Sequence, residues 1–445
     1  MTRTTPTRIS RRRFIGGAAT TVGALAAGGP AALGAHRVRG GKHQDDPGFD
    51  HVVVVMMENR SFDHLLGWVD HADGRQRGLA YPDAAGIRHP THALAPDFQG
   101  CGHPDPDHSY TGGRVELNGG ACDGWLRAGR NDDYAIGYYG KADLAFMGRA
   151  VPRWTTFSRY FSAIMAETYP NRIYQHAGQT DRITNTLVVS TLPTIWDLLA
   201  AAGLTGRYYY SDLPFLAIWG GKYGPISHNV TDFYADCAAG TLPNVSFVDP
   251  RFIGEGAGTS NDDHPHADIR NGQAFMSGIY KAVTTSPNWE RTVLLFNYDE
   301  WGGFYDHVPP GTAPIPASDA AAGNADGLRG FRVPCLLVSP RAKRGHVSNR
   351  VYDHTSILKM IEQRWGLPSL SVRDAAANDL GRELSAHRKS KAVAIDVPQG
   401  PFGGACPAPA PAAASAGAAV ARSAGEGASE WEPLLELARR TGWPV

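Results

Sequence analysis

An α/β fold built on a central, mainly parallel sheet is predicted by three features of this 445-residue sequence. First, His51–Met57 is a nearly continuous apolar, valine-rich run, the pattern of a strand covered on both faces. Second, Thr292–Tyr298 and residues 334–339 repeat that character. Third, strand-like and helix-like segments alternate along the chain, which is how layered α/β domains are made.

The elements follow in order. Residues 63–68 start a helix just after the first strand. Residues 70–145 are rich in Gly, Asp, His and Pro and read as a large loop insertion over one end of the sheet. Thr194 is an N-cap candidate for the helix beginning at Ile195, and Gly203 ends it. Residues 207–211 and 244–249 are short strands, and 267–285 is helical. Residues 353–365 form a helix with Ile357, Leu358, Ile361 and Trp365 at helical spacing. The catalytic domain is assigned to residues 48–385. Residues 386–430 read as an Ala/Pro/Gly-rich linker, densest over 407–428, and 431–445 as an amphipathic helix. There is no internal repeat.

The 43 Lys and Arg balance the 43 Asp and Glu. Such a chain has no overall basic field, so nucleic acid is excluded as the expected partner. The balance is uneven, however. Residues 1–35 hold five arginines and no acid, so the remainder carries a net charge of −5. Ser10-Arg11-Arg12-Arg13-Phe14-Ile15 precedes a weakly apolar stretch and then small residues, the layout of a twin-arginine export signal. Extracellular or cell-envelope location and the twin-arginine translocase as partner are therefore expected. Five cysteines without a C-x-x-C argue against a thiolate zinc site. Cys101 and Cys122 share one loop-rich stretch and are the favoured disulfide pair, while Cys335 reads as core.

Ligands of open α/β sheets bind beyond the carboxyl ends of the strands. Glu58-Asn59-Arg60-Ser61 follows the first strand, and Asp299-Glu300 follows the strand at 292–298. Each pair alone reads as a loop acid or cap. Together they offer hard oxygen donors, and crowded carboxylates call for a divalent cation. Thr168, just before Pro170, is either a helix-capping hydroxyl or a nucleophile. His264, His307 and His354 each sit beside an aspartate, as surface turns or as groups that move a proton. Phe215, Trp219 and Tyr223 read as a cage for choline or as core.

These segments resemble the phosphoesterase family of bacterial phospholipases C, plant non-specific phospholipases C and bacterial acid phosphatase A. The resemblance rests on Glu58-Asn59-Arg60-Ser61-Phe62-Asp63-His64, Thr168-x-Pro170-Asn171-Arg172, Asp262-Asp263-His264-Pro265 and Tyr298-Asp299-Glu300-x-Gly302-Gly303-Phe304-Tyr305-Asp306-His307. Ser339-Pro340-Arg341 and Asp353-His354-Thr355-Ser356 extend it, to cover roughly residues 50–370. It implies an alkaline-phosphatase-like three-layer sandwich. It implies Glu58, Asn59, Asp299 and Glu300 as ligands of one divalent metal (Ca, Mg, Mn or Zn), and Thr168 as nucleophile. His264, His307 and His354 fall in active-site motifs. The expected activity is that of a phospholipase C on a phospholipid substrate, with transient membrane-surface contact. The acid phosphatase branch uses Ser and Asp-Asp where this chain has Thr168 and Asp299-Glu300. A secreted acid phosphatase and a non-catalytic, exported lipid- or surface-binding protein are the alternatives.

Overall fold

The computed structural model describes residues 48–407 and 431–445. The arginine-rich leader and most of the Ala/Pro-rich stretch lie outside the described residues.

Eight strands form the main sheet: β1 (His51–Met57), β2 (Thr155–Phe157), β3 (Gly206–Tyr210), β4 (Ser227–Asn229), β5 (Val245–Val248), β6 (Thr292–Tyr298), β7 (Cys335–Val338) and β8 (His346–Ser348). Their order across the sheet is β8-β2-β7-β6-β1-β5-β3-β4. β7 runs antiparallel to both its neighbours and every other pairing is parallel. The predicted α/β class and mainly parallel sheet are therefore observed.

The helices near the site are α1 (Phe62–Leu66), α2 (Thr168–Ala177), α3 (Ile195–Ala201), α4 (Val230–Ala239), α5 (Ile269–Thr285), α6 (His354–Trp365) and α7 (Glu432–Arg440). Adjacent residues of β6 reveal the layers, because successive strand side chains point to opposite faces. Phe296 meets Phe146, which in turn packs on Tyr280 of α5. Asn297 instead donates to Gln175 of α2 at 2.9 Å. Helices thus cover both faces, which is why β6 and nearly all of β1 are buried.

The predicted cap at Thr194 matches in detail, and a second helix starts in the same way. Thr194 caps α3 in a reciprocal capping box with Asp197, and Asp353 does the same for α6 with Ser356. The insertion at 70–145 is more than loop: it carries short strands, a helical turn at Gly112–Leu117 and a satellite core containing Trp125, Ile136 and Tyr138.

The disulfide expectation is corrected. Cys101 bonds to Cys406, 305 residues away, and Cys122 is a buried free thiol. Sequence proximity misled because Cys122 turns into the satellite core, while Gln99, two residues before Cys101, donates to the Gly404 carbonyl at 2.7 Å and holds the Cys406 segment beside it. Cys335 is a buried free thiol within β7. The segment assigned to a linker from residue 386 lies partly on the body. Ser277 and Tyr280 of α5 donate to the carbonyls of Ile395 and Val393, and Ile395 and Val397 are buried. No helix among the described residues is long and apolar enough to cross a membrane.

Candidate active site

Register brings the two acidic strand ends together. Met57 of β1 lies opposite Tyr298 of β6, so both strands stop at the same level and Glu58 leaves beside Asp299. Asn59 then turns back with φ of 52°, a left-handed conformation asparagine tolerates. Its backbone N–H donates to Asp299 Oδ1 at 3.0 Å. Gly302 packs against that turn so closely that a Cβ would come within 2.1 Å of the Asn59 carbonyl oxygen. Only glycine fits there, which ties the loop after β6 to the loop after β1.

Thr168 opens α2. Its hydroxyl donates to Glu58 Oε1 at 2.9 Å and sits 3.5 Å from Asn59 Oδ1. The N-cap of the helix is Glu167, which makes no side-chain cap, and Tyr169 N–H donates to Asn185 Oδ1 at 2.8 Å. One turn on, the same helix presents Arg172. Arg172 contacts the other oxygen of Glu58, Asp299 Oδ2 at 3.2 Å and Asp249 Oδ1 at 3.3 Å. Burial by itself would lower the pKa of this guanidinium. The three surrounding carboxylates outweigh that and raise it above the ordinary value. Asp249, just past the end of β5, is pushed up by burial, against the pull of Arg172 and of the Tyr208 hydroxyl 2.5 Å away.

The histidines divide. His264 points Nδ1 at Glu255, 3.0 Å away, and Nε2 toward Asp105 at 3.6 Å. Its ring stands edge-on to His108, 6.4 Å between centroids. His108 donates through Nδ1 to the Pro106 carbonyl at 2.8 Å, which leaves Nε2 to accept from Asn59 Nδ2 at 3.4 Å. His264 and His108 thus flank the loop that holds Asn59. His354 is buried, and its Nε2 donates to the Tyr298 carbonyl at 3.0 Å. Burial holds it down at about 4, so it is a neutral ring.

His307 has its ring nitrogens engaged by Asp63, 2.5 Å from Nδ1, and Asp73, 3.1 Å from Nε2. Burial opposes its charge, but the hydrogen bond and charge of Asp63 together with the charge of Asp306 outweigh it and raise the pKa above the ordinary value. Sequence reasoning grouped His307 with the catalytic histidines, whereas the structure commits it to this ionic cluster.

Asp63, Asp306 and His307 form one of two groups among the described residues close enough to share a metal; His103, Asp132 and Asp133 form the other. Arg332 already pairs with both Asp63, at 3.2 Å, and Asp306, at 2.9 Å. That guanidinium fills the role a cation would have there. The second group is partly exposed and His103 pairs with Asp132.

The donor set around Thr168 has a different balance. Glu58, Asp299 and Asp249 are all buried and converge on Arg172, which supplies one positive charge among them, while buried Glu300 turns its Oε2 to the Gly302 N–H at 2.7 Å. With the Thr168 hydroxyl and the Asn59 amide oxygen, this is an all-oxygen, net-negative set, the chemistry suited to a hard divalent cation.

A model of the Phosphoesterase family matches residues 49–368, a span that includes Glu58, Thr168, Asp249, His264, Asp299 and His354. The chain belongs to the Phosphoesterase family. This phosphoesterase is therefore a hydrolase acting on phosphoric esters. It is 30% identical to Phospholipase C B of Mycobacterium tuberculosis (strain ATCC 25618 / H37Rv), over 84% of this chain and 85% of the relative. It is likewise 30% identical to Non-specific phospholipase C6 of Arabidopsis thaliana, over 76% of this chain and 72% of that one. Among solved structures, an alkaline phosphatase superfamily protein from Vibrio parahaemolyticus overlaps 76% of this chain and 71% of its own, at 10% identity and a TM-score of 0.40. The lipoteichoic acid synthase LtaP from Listeria monocytogenes overlaps 78% and 79%, at 8% identity and a TM-score of 0.41.

Three site residues of the phosphoesterase were not singled out in the sequence. Arg172 had a readable signal, since it lies four residues after Thr168 and shares its helix face. Asp249 ends a predicted strand, as Glu58 and Asp299 follow theirs. His108 sits in the Asp/Pro-rich insertion with nothing to mark it. Phe215, Trp219 and Tyr223 are buried core aromatics.

Proposed function

We propose that this phosphoesterase is an exported, metal-dependent phospholipase C. It cleaves the glycerol-side phosphodiester of phospholipids such as phosphatidylcholine through a phospho-threonine intermediate. The reading is carried by one hydrogen bond, from Thr168 Oγ1 to Glu58 Oε1 at 2.9 Å. A hydroxyl at the start of a helix, donating to a buried carboxylate, is set up to lose its proton.

Glu58, Asn59, Asp299 and Glu300 would hold a divalent cation, which would lower the hydroxyl's pKa and offset charge on the phosphoryl oxygens. Thr168 Oγ passes its proton to Glu58 and attacks phosphorus. The bond from phosphorus to the glycerol oxygen breaks. His264, faced by Glu255 and Asp105, supplies the proton that releases diacylglycerol as an alcohol. Water then attacks the threonyl phosphate, giving its proton to His264. The bond between Thr168 Oγ and phosphorus breaks, Thr168 recovers its proton from Glu58, and the phosphorylated head group leaves. His354 serves as a neutral support for the Tyr298 carbonyl, next to Asp299.

Diester preference is favoured by Arg172. Its guanidinium is committed to Glu58, Asp299 and Asp249, so it is not directed at the extra charge of a monoester. The test compares p-nitrophenyl phosphorylcholine with p-nitrophenyl phosphate in wild type, Thr168→Ser and Thr168→Ala. Faster diester turnover, retained by Ser and abolished by Ala, is expected. A clear preference for the monoester would move the assignment to the acid phosphatase branch, and turnover by Thr168→Ala would remove the phospho-threonine.

A further inference from the structure

Trp431 is the first described residue after the Ala/Pro-rich stretch, yet it is fully buried. Its indole stacks on Phe252 with centroids 4.2 Å apart and planes inclined by 24°. It also lies 5.7 Å from the ring of Tyr169, the residue directly after Thr168. The Arg172 guanidinium sits 4.6 Å from the Phe252 ring centroid and 5.6 Å from that of Trp431. The pairing of Arg172 with Glu58, Asp299 and Asp249 is therefore backed by aromatic rings. An indole close to a desolvated guanidinium attracts it through the ring quadrupole and keeps water away.

The rest of the segment holds Trp431 in place. Leu434, Leu437 and Ala438 of α7 are buried, and α7 packs on the turn at Phe215–Trp219. Trp443 Nε1 donates to the Gly220 carbonyl at 3.0 Å, and its ring stands edge-on to Tyr210.

We propose that Trp431 is a positioning residue for Arg172, so that the segment from residue 431 forms one wall of the catalytic cage. This rests on the reading of Thr168 as nucleophile with Glu58 and Arg172 behind it. Without the indole, Arg172 swings or admits water, and the carboxylate that receives the Thr168 proton loses its fixed orientation. Substrate contacts are untouched. The loss falls on kcat and leaves KM alone.

The test measures kcat, KM and Tm on the full chain for Trp431→Phe, Trp431→Leu and Trp443→Leu, with Thr168→Ala alongside. Phenylalanine keeps a π face and should stay near wild type. Leucine keeps apolar bulk without that face and should lower kcat about ten-fold at unchanged KM. Trp443→Leu should lower Tm with a smaller effect on kcat. If Trp431→Leu does not fold, the more adaptable Trp431→Met takes its place. Wild-type kcat in Trp431→Leu, or equal kcat losses in the Trp431 and Trp443 variants, overturns the proposal while an inactive Thr168→Ala leaves the mechanism standing. Turnover by Thr168→Ala overturns the underlying reading whatever the tryptophan variants do.

Discussion

Thr168 and Arg172 share one carboxylate: the hydroxyl donates to Oε1 of Glu58 and the guanidinium holds Oε2. The charge of Glu58 is thus both the acceptor for a proton and half of a buried ion pair. Glu58→Gln keeps the shape and removes the charge. Its kcat should fall at least about 100-fold, the lower bound of the usual acid–base contribution. Bound divalent metal, measured by elemental analysis, should fall with it. Chelation of the wild type should abolish turnover, and one of Ca, Mg, Mn or Zn should restore it. Full activity in the chelated enzyme would remove the metal from the mechanism.

Glu362 on α6 gives a pH signature away from the site. Burial first, and the nearby Asp374 carboxylate second, push it up to about 9 from its ordinary 4.5. Asp374 already accepts from the Leu370 and Ser371 N–H groups, so Glu362 carries the proton. A carboxyl whose folded pKa is raised stabilises fully below its unfolded value. That contribution is lost as pH climbs toward the folded value. Glu362→Gln should therefore raise Tm more at pH 8 than at pH 5. Equal shifts at both pH values in thermal melts would contradict this.

The Cys101–Cys406 bond closes a loop of 305 residues. In the chain-entropy view such a closure stabilises by up to about 5 kcal/mol. Denaturant unfolding with and without a reducing agent should differ by a fraction of that amount. Alkylation of the unreduced, unfolded chain should label Cys122, Cys237 and Cys335 and leave Cys101 and Cys406 unlabelled. Labelling at Cys406 with protection at Cys101 and Cys122 would restore the pairing expected from sequence.

The export proposal predicts that replacing Arg11 and Arg12 together by lysine retains the protein in the cytoplasm. The disulfide supports an oxidising destination. Fractionation of cells expressing each form decides it, and unchanged export of the double variant would assign the leader another role.

Much of this architecture was legible because it rests on local rules. The valine run of β1, the cap at Thr194, and the polar residues after β1 and β6 follow from burial and backbone hydrogen bonding. Register could not be read in advance, and register is what sets Glu58 beside Asp299. The surroundings of His307 were hidden for a related reason. Its histidine–aspartate dipeptide looks like those at His264 and His354, but which carboxylates face the ring depends on Asp63 and Asp73, more than 230 positions earlier. Trp431 lies farther still from Arg172 in sequence, and no periodicity connects the two.

The tail has a temporal meaning. Cys406 lies against Gly256, next to the Glu255 that faces His264, and Trp431 lies against Arg172. Both leave the ribosome after every other part of the site has been made. A growing chain can assemble its sheet and its acidic strand ends first, but the surroundings of its proton donor and of its guanidinium come last. Catalytic power would then be the last property this chain acquires as it is made.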